Sequence, residues 1–183
     1  MRVLRLVASI GSAFLLLLVG TTSAEAESHQ TIATGFEVYG TSTQGAFVGS
    51  ASGGLSGYWS ILVDHSPLDN CVSPTPDPCA WITGGRLALA VTSPVSELVT
   101  GNFDDPSQAA AVGQPDQIKL VDVGAGCTNQ VFSIADGLNS VGTGSRHVGR
   151  GSLTASLTHL RRTIFGRCVT YSATVKGTVV LDF

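Results

Sequence analysis

Apolar and polar residues alternate along this chain at a period of two, and no sustained helical stripe of period 3.6 is present. The pattern is clearest near the C-terminus. Leu153, Ala155 and Leu157 alternate with Thr154, Ser156 and Thr158. Further on, Val169, Tyr171, Ala173, Val175, Val179 and Leu181 alternate with Cys168, Thr170, Ser172, Thr174 and Lys176. This is the signature of an antiparallel hairpin with one face on a core and the other in water. It predicts Leu153, Leu157, Tyr171, Ala173 and Val175 as core residues and a connecting loop over 161–166.

The same reading, punctuated by Gly, Pro, Asn and Asp, predicts strands over 35–39, 45–50, 55–64, 80–92, 97–103, 117–123, 130–135, 151–160 and 167–183. A short helix is expected over 106–112, where "DDPSQAAAV" offers an Asp cap and an alanine run. Nine short strands without long helices define an all-β chain. An antiparallel β-barrel is expected, with a β-sandwich as the alternative. Closure suits the long final strand, because a barrel has no free edge.

The first residues change the picture. Arg2 and Arg5 precede an apolar stretch that ends in the run Phe14 to Val19, and Ala24 and Ala26 form an A-x-A site. Residues 1–26 therefore read as a secretory signal peptide, leaving one β-rich domain over 27–183. No second long apolar run follows, so no transmembrane helix is expected in the mature chain. Loss of Arg2, Arg5 and Glu25 turns 10 basic and 13 acidic residues into 8 and 12, a net charge of −4. The expected location is secreted, extracellular or associated with the cell envelope.

Export makes the four cysteines a disulfide framework. The expected pairs are Cys71–Cys79, around the proline-stiffened "VSPTPDP", and Cys127–Cys168. Zinc is not expected, because the chain lacks a C-x-x-C and any histidine at finger spacing. No metal or other cofactor is called for.

Catalytic motifs are absent. The chain has no G-x-S-x-G, no H-E-x-x-H and no Walker loop, and the glycine-rich "GTGSRHVG" lies in no strand–helix unit. Asp64–His65, Asp104–Asp105, His147 and His159 are the titratable candidates, and His29 is assigned to an N-terminal tail. Asp64 and His65 are neighbours on a strand and point to opposite faces. Among the aromatics, Trp59 shares a face with Ile61 and Val63 and is assigned to the core. Trp81 is placed beside the Cys71–Cys79 loop, and Tyr58 is the candidate for stacking on a ligand.

Charge is unevenly spread. From Gly137 to Leu181 there is no Asp or Glu, while Arg146, Arg150, Arg161, Arg162, Arg167 and Lys176 fall there. The five arginines are expected to form one basic patch for an anionic partner. Arginine forks suit carboxylates and phosphates, so acidic envelope polymers or lipid headgroups are expected as partners rather than nucleic acid. The alternative is that Asp122 or Asp136 folds back and neutralises the patch.

The stretches "GLSGYWSILVDH", "ITGGRLALAVT" and "LTHLRRTIFGRCVTYSATVKGTV", with the cysteine arrangement, resemble secreted β-rich proteins of actinobacteria. That resemblance spans most of the mature chain and brings no activity or catalytic residue with it. The glycine-punctuated "ITGGRLALAV" and "VTGNF" are also similar to the small barrels of the dirigent and allene oxide cyclase type. The expected function is a secreted, non-catalytic binding or surface-associated module. One alternative is a barrel-cavity enzyme using His65, His147 or His159 with an Asp, and it requires a histidine and a carboxylate side by side at the mouth of an apolar cavity. The other is an outer-membrane barrel, which requires an outward apolar band.

Overall fold

The computed structural model describes residues 27–68, 78–103 and 116–183. These hold nine strands and one 3-10 turn, Ala125–Cys127. The strands are β1 (Ser28–Gly40), β2 (Gln44–Gly53), β3 (Ser56–His65), β4 (Cys79–Ser93), β5 (Glu97–Phe103), β6 (Gln117–Asp122), β7 (Gln130–Thr143), β8 (Arg146–Ile164) and β9 (Arg167–Asp182).

All pairings are antiparallel, in the order β3-β2-β1-β9-β8-β7-β5-β4, and β3 pairs with β4 to close the ring. The product is an eight-stranded barrel. The ninth strand splits one stave. β5 fills the gap between β4 and β7 at one end, with Leu87 opposite Gly101 and Thr100 opposite Gly142. β6 fills it at the other end, with Cys79 opposite Lys119 and Leu120 opposite Phe132. The end that carries the β8–β9 turn is called the upper end below.

Alternation fills the barrel. Trp59, Ile61, Val63, Leu87, Leu89, Phe132, Ile134, Leu153, Leu157, Val179 and Leu181 are buried in one interior cluster. The outward residues of β8 and β9 below the turn include Thr154, Ser156, Thr158, Ser172, Thr174 and Lys176. This polarity, apolar within and hydroxyl-rich without, follows from the period of two. Eight strands enclose a space that side chains fill or that holds one small ligand.

The lower end is plugged. Leu55, between β2 and β3, is buried, and the buried Thr31 hydroxyl both donates to the Leu55 carbonyl at 3.2 Å and accepts from its N–H at 3.1 Å. Tight coiling between β1 and β2 depends on a facing glycine pair. A Cβ on Gly35 would overlap the Val48 carbonyl oxygen, and one on Gly49 the Thr34 carbonyl oxygen. Trp59 lies beside this close approach, and its indole N–H donates to the Ser50 carbonyl at 2.9 Å.

Several expectations change. His29 is not in a tail: β1 begins at Ser28, and His29 pairs with Leu181. β7 and β8 meet in a tight turn at Gly144, so "GTGSRHVG" is a hairpin end. The loop expected over 161–166 is mostly strand, and the β8–β9 turn is confined to Phe165 and Gly166. Tyr171 is not in the core. Leu160 pairs with Ser172 and Arg161 with Thr170, so Tyr171 is the extra residue of a β-bulge and is 54% exposed. Ala173 is buried, and Val175 packs against the core. The helix expected over 106–112 lies outside the described residues.

Cys127 and Cys168 form a disulfide, with 5.4 Å between their Cα atoms. It ties the 3-10 turn to the start of β9. The other expected bridge falls on Cys71, outside the described residues, and Cys79 carries no free thiol.

Candidate functional site

Three irregularities crowd the barrel mouth at the upper end, beside a fourth at Val121 on β6. Glu37 pairs with Phe47 while Tyr39 pairs with Ala46, so Val38 is an extra residue on β1. Asp64 pairs with Gly84 while His65 pairs with Ile82, so Thr83 is an extra residue on β4. The third bulge, at Tyr171, follows the pair His159–Ala173. Bulges cut short the regular ladder and re-aim side chains, and they are enriched at barrel rims beside functional sites. Each of the three at the mouth adjoins an ionisable residue that faces it: Glu37, His65 or His159.

Glu37 and His159 meet across an intervening strand. β9 runs between β1 and β8. Phe36 pairs with Thr174, which sets Glu37 level with Ala173, and Ala173 pairs with His159. The small Ala173 side chain lets the two reach over it. Glu37 Oε2 lies 3.2 Å from His159 Nε2, with the side chains 18% and 25% exposed. This is ion-pair distance without hydrogen-bond alignment of the ring nitrogen. The His159 ring packs on Phe132, with centroids 5.0 Å apart.

Beneath them is a cavity of about 90 Å³. Its walls are chiefly Phe47, Val63, Ile118, Phe132, Ile134 and Leu157, and Glu37, His65 and His159 stand at the mouth with Leu68. Gly40 leaves the space that Glu37 occupies, since a Cβ there would overlap its carboxylate, and Gly45 leaves room for the Phe47 ring beside it. The mouth thus joins an apolar pocket, a carboxylate and two imidazoles. That set can hold a small amphiphile or hand a proton to and from one.

The other candidates are dispersed. Asp64 accepts a hydrogen bond from the Gln44 side-chain amide at 2.6 Å, and His65 Nδ1 contacts the Ser66 carbonyl at 2.7 Å. Asp64 and His65 therefore form no dyad. His147 lies at the lower end, where Nε2 contacts the Gly144 carbonyl at 2.7 Å and Nδ1 the Ser140 carbonyl at 3.3 Å. Asp104 and Asp105 lie outside the described residues. Trp59 is buried, as its alternation implies, and Trp81 is exposed at the upper end of β4.

Tyr58 is 70% exposed and lines a groove of about 930 Å³ on the outer wall, with Phe36, Val48, Thr174 and Lys176 among its neighbours. The groove is the larger hollow. It carries one charged side chain and none of the converging ionisable groups found at the mouth.

The five arginines do not form one patch. β8 is continuous from Arg146 to Ile164. Eleven residues of strand set Arg150 and Arg161 about 35 Å apart at the usual rise per residue. Arg146 and Arg150 lie at the lower end, and Arg161, Arg162 and Arg167 at the upper. The Arg161 guanidinium donates to the Val123 carbonyl at 3.2 Å, and Arg162 stacks over Tyr171 at 4.9 Å. Asp122 Oδ1 accepts from the Gly124 N–H at 2.9 Å, and Asp136 is enclosed within the barrel. Asp116 is enclosed too, and the pairing of Gln117 with Ala135 sets positions 116 and 136 opposite one another.

Glu37 is the residue that sequence reasoning missed. In "GFEVYG", simple alternation turns Phe36 and Val38 inward and Glu37 outward. The strand does the reverse, with Phe36 and Val38 exposed and Ala33, Gly35 and Glu37 inward. The available signal was the small inward set Ala33 and Gly35, followed by glycine at positions 40 and 45. Among the described residues no group of three or more His, Cys, Asp or Glu is placed to hold a metal ion. Comparison with protein-family models, curated proteins and solved structures gives no match.

Proposed function

We propose that the protein is an exported, disulfide-braced β-barrel that binds a small amphiphile at its upper mouth. Residues 1–26 serve as the signal peptide, and Cys71–Cys79 is the second bridge. The observation that carries the reading is Glu37, held on the inward face 3.2 Å from His159 above an apolar cavity. A carboxylate set into an apolar interior costs stability unless it has a use or a partner, and here it stands where a ligand's polar end would lie.

Size narrows the ligand. Sites for drug-sized molecules run to about 300–1,000 Å³. A cavity of about 90 Å³ takes a short chain or one small ring. The ligand puts an apolar end inside and leaves its polar end at Glu37, which favours an ammonium or hydroxyl over a carboxylate. The hydroxyl-rich outer faces of β8 and β9 support a water-facing exterior there, while Ile32, Phe36, Tyr58 and Leu98 are exposed on β1, β3 and β5; a membrane barrel carries a continuous apolar band outside.

Calorimetric titration with hexylamine, hexanol and hexanoate tests this reading. Binding of the amine and the alcohol in preference to the acid is expected, with the amine's advantage lost in Glu37→Gln. Equal binding of all three by wild type and Glu37→Gln overturns it.

The dyad favours a second reading, proton transfer on the bound ligand, with His159 as acid or base and Glu37 orienting it. Chemical change of a bound ligand in wild type but not in His159→Gln is its distinguishing outcome.

A further inference from the structure

We propose that the tip of the β8–β9 hairpin is a wedge that docks onto an anionic lipid surface, independently of what the mouth binds. The tip residues are Phe165 and Gly166, both with positive φ, at 50° and 74°. Glycine accepts this conformation. A bulky aromatic does not, and two-residue hairpin turns of this kind favour Asn or Gly at the first position. Phe165 has no compensating packing, because its exposure is 101%. Neither backbone geometry nor burial gives a folding reason for phenylalanine here. A strained aromatic held in water points to a role in contact with something else.

The surroundings present this residue firmly. The Cys127–Cys168 disulfide clamps the base of the hairpin to the neighbouring turn. The Arg161 backbone N–H donates to Asn129 Oδ1 at 3.2 Å, and its guanidinium reaches the Val123 and Gly124 carbonyls at 3.2 and 3.5 Å. Arg162, stacked on Tyr171, and Arg167 flank the tip on opposite strands. The sequence from 137 to 181 contains no acid. Beside the hairpin, Val121 near the end of β6 and Val123 in the loop gripped by Arg161 are both more than half exposed, and Asp122 between them accepts the Gly124 N–H.

These features together select the partner. A soluble polyanion would engage the arginines and leave Phe165, Val121 and Val123 in water. A bilayer of anionic lipid takes both parts, with the aromatic at headgroup depth and guanidinium groups on the phosphates. One aromatic and a few arginines give reversible attachment, far short of insertion.

Co-sedimentation with vesicles tests the proposal, using the chain as its expression host processes it. Vesicles of phosphatidylglycerol mixed with phosphatidylcholine are compared with pure phosphatidylcholine across a salt series. Wild type should bind the anionic vesicles, and more weakly as salt rises. Phe165→Asn should lower partitioning on the order of tenfold while the fold persists. Phe165→Trp should keep binding and shift its emission to the blue on vesicles. Arg162→Ser with Arg167→Ser should flatten the salt dependence. Unchanged partitioning of Phe165→Asn overturns the proposal, as does indifference to phosphatidylglycerol. Binding of soluble polyphosphate as tight as binding of vesicles also overturns it, and assigns the arginines to a polymer instead.

Discussion

Glu37 and His159 lie 3.2 Å apart although they belong to strands that do not pair. Ala173 of the intervening strand permits this, since it is level with both and carries one methyl group inward. Ala173→Leu should push the carboxylate and imidazole apart and extend into the cavity. Overpacking of this kind costs roughly 1–3 kcal/mol. The check is a chemical denaturation curve beside a titration with hexylamine. The variant should remain folded at lower stability and lose binding.

Replacing both partners should have the opposite effect on stability. Leucine at both positions removes two partly buried polar groups from an apolar mouth, a change that is often neutral or stabilising. Glu37→Leu/His159→Leu should match or exceed wild-type stability by about 1 kcal/mol and bind no amine. A loss of several kcal/mol would assign the pair a structural role.

Phe165→Asn should stabilise the protein while weakening attachment to vesicles. The left-handed conformation costs most L-residues roughly 1–2 kcal/mol, and asparagine less. A gain of about 1 kcal/mol is expected, read from the shift of a urea midpoint at constant slope.

The Cys127–Cys168 bridge closes a loop with a sequence separation of 41. In the chain-entropy model its loss costs on the order of 4 kcal/mol. Cys127→Ser/Cys168→Ser should therefore lower Tm on the order of 10 °C. The double variant avoids a stray thiol, and calorimetry provides the check.

The register of β9 is open to a paired test. Val179 is buried and Tyr171 is 54% exposed, although strict alternation puts both on one face. Val179→Asp buries an unpaired charge and should abolish folding. Tyr171→Asp should change stability by no more than about 1 kcal/mol. Equal damage from both would place the bulge elsewhere.

The contrast between these two residues shows what was readable from the sequence. The strands emerged from alternation because one face of each is buried, and Leu153, Leu157, Ala173 and Trp59 were placed correctly on that basis. Tyr171 was misplaced because a bulge shifts the face without any mark in a single strand's pattern. The even cysteine count allows three pairings, and choosing Cys71–Cys79 for its proline-stiffened loop leaves Cys127–Cys168, the bridge the structure contains. Glu37 escaped because its strand turns small residues inward and Phe36 and Val38 outward, so hydrophobicity pointed the wrong way. His159 was visible as an inward-facing candidate, but its partner comes from a strand two places away in the sheet. The single arginine patch failed because β8 runs unbroken from end to end of the barrel.

The most direct test of the account is a methyl-resolved NMR titration of the protein with hexylamine. Val63, Ile134 and Leu157 line the cavity, whereas Leu55 plugs the opposite end. Saturable shifts are expected at the methyl groups of the first three residues, none at Leu55, and their disappearance in Leu68→Trp, which fills the mouth from an exposed position. Shifts that fail to saturate, that spread evenly over the barrel, or that survive in Leu68→Trp would contradict it.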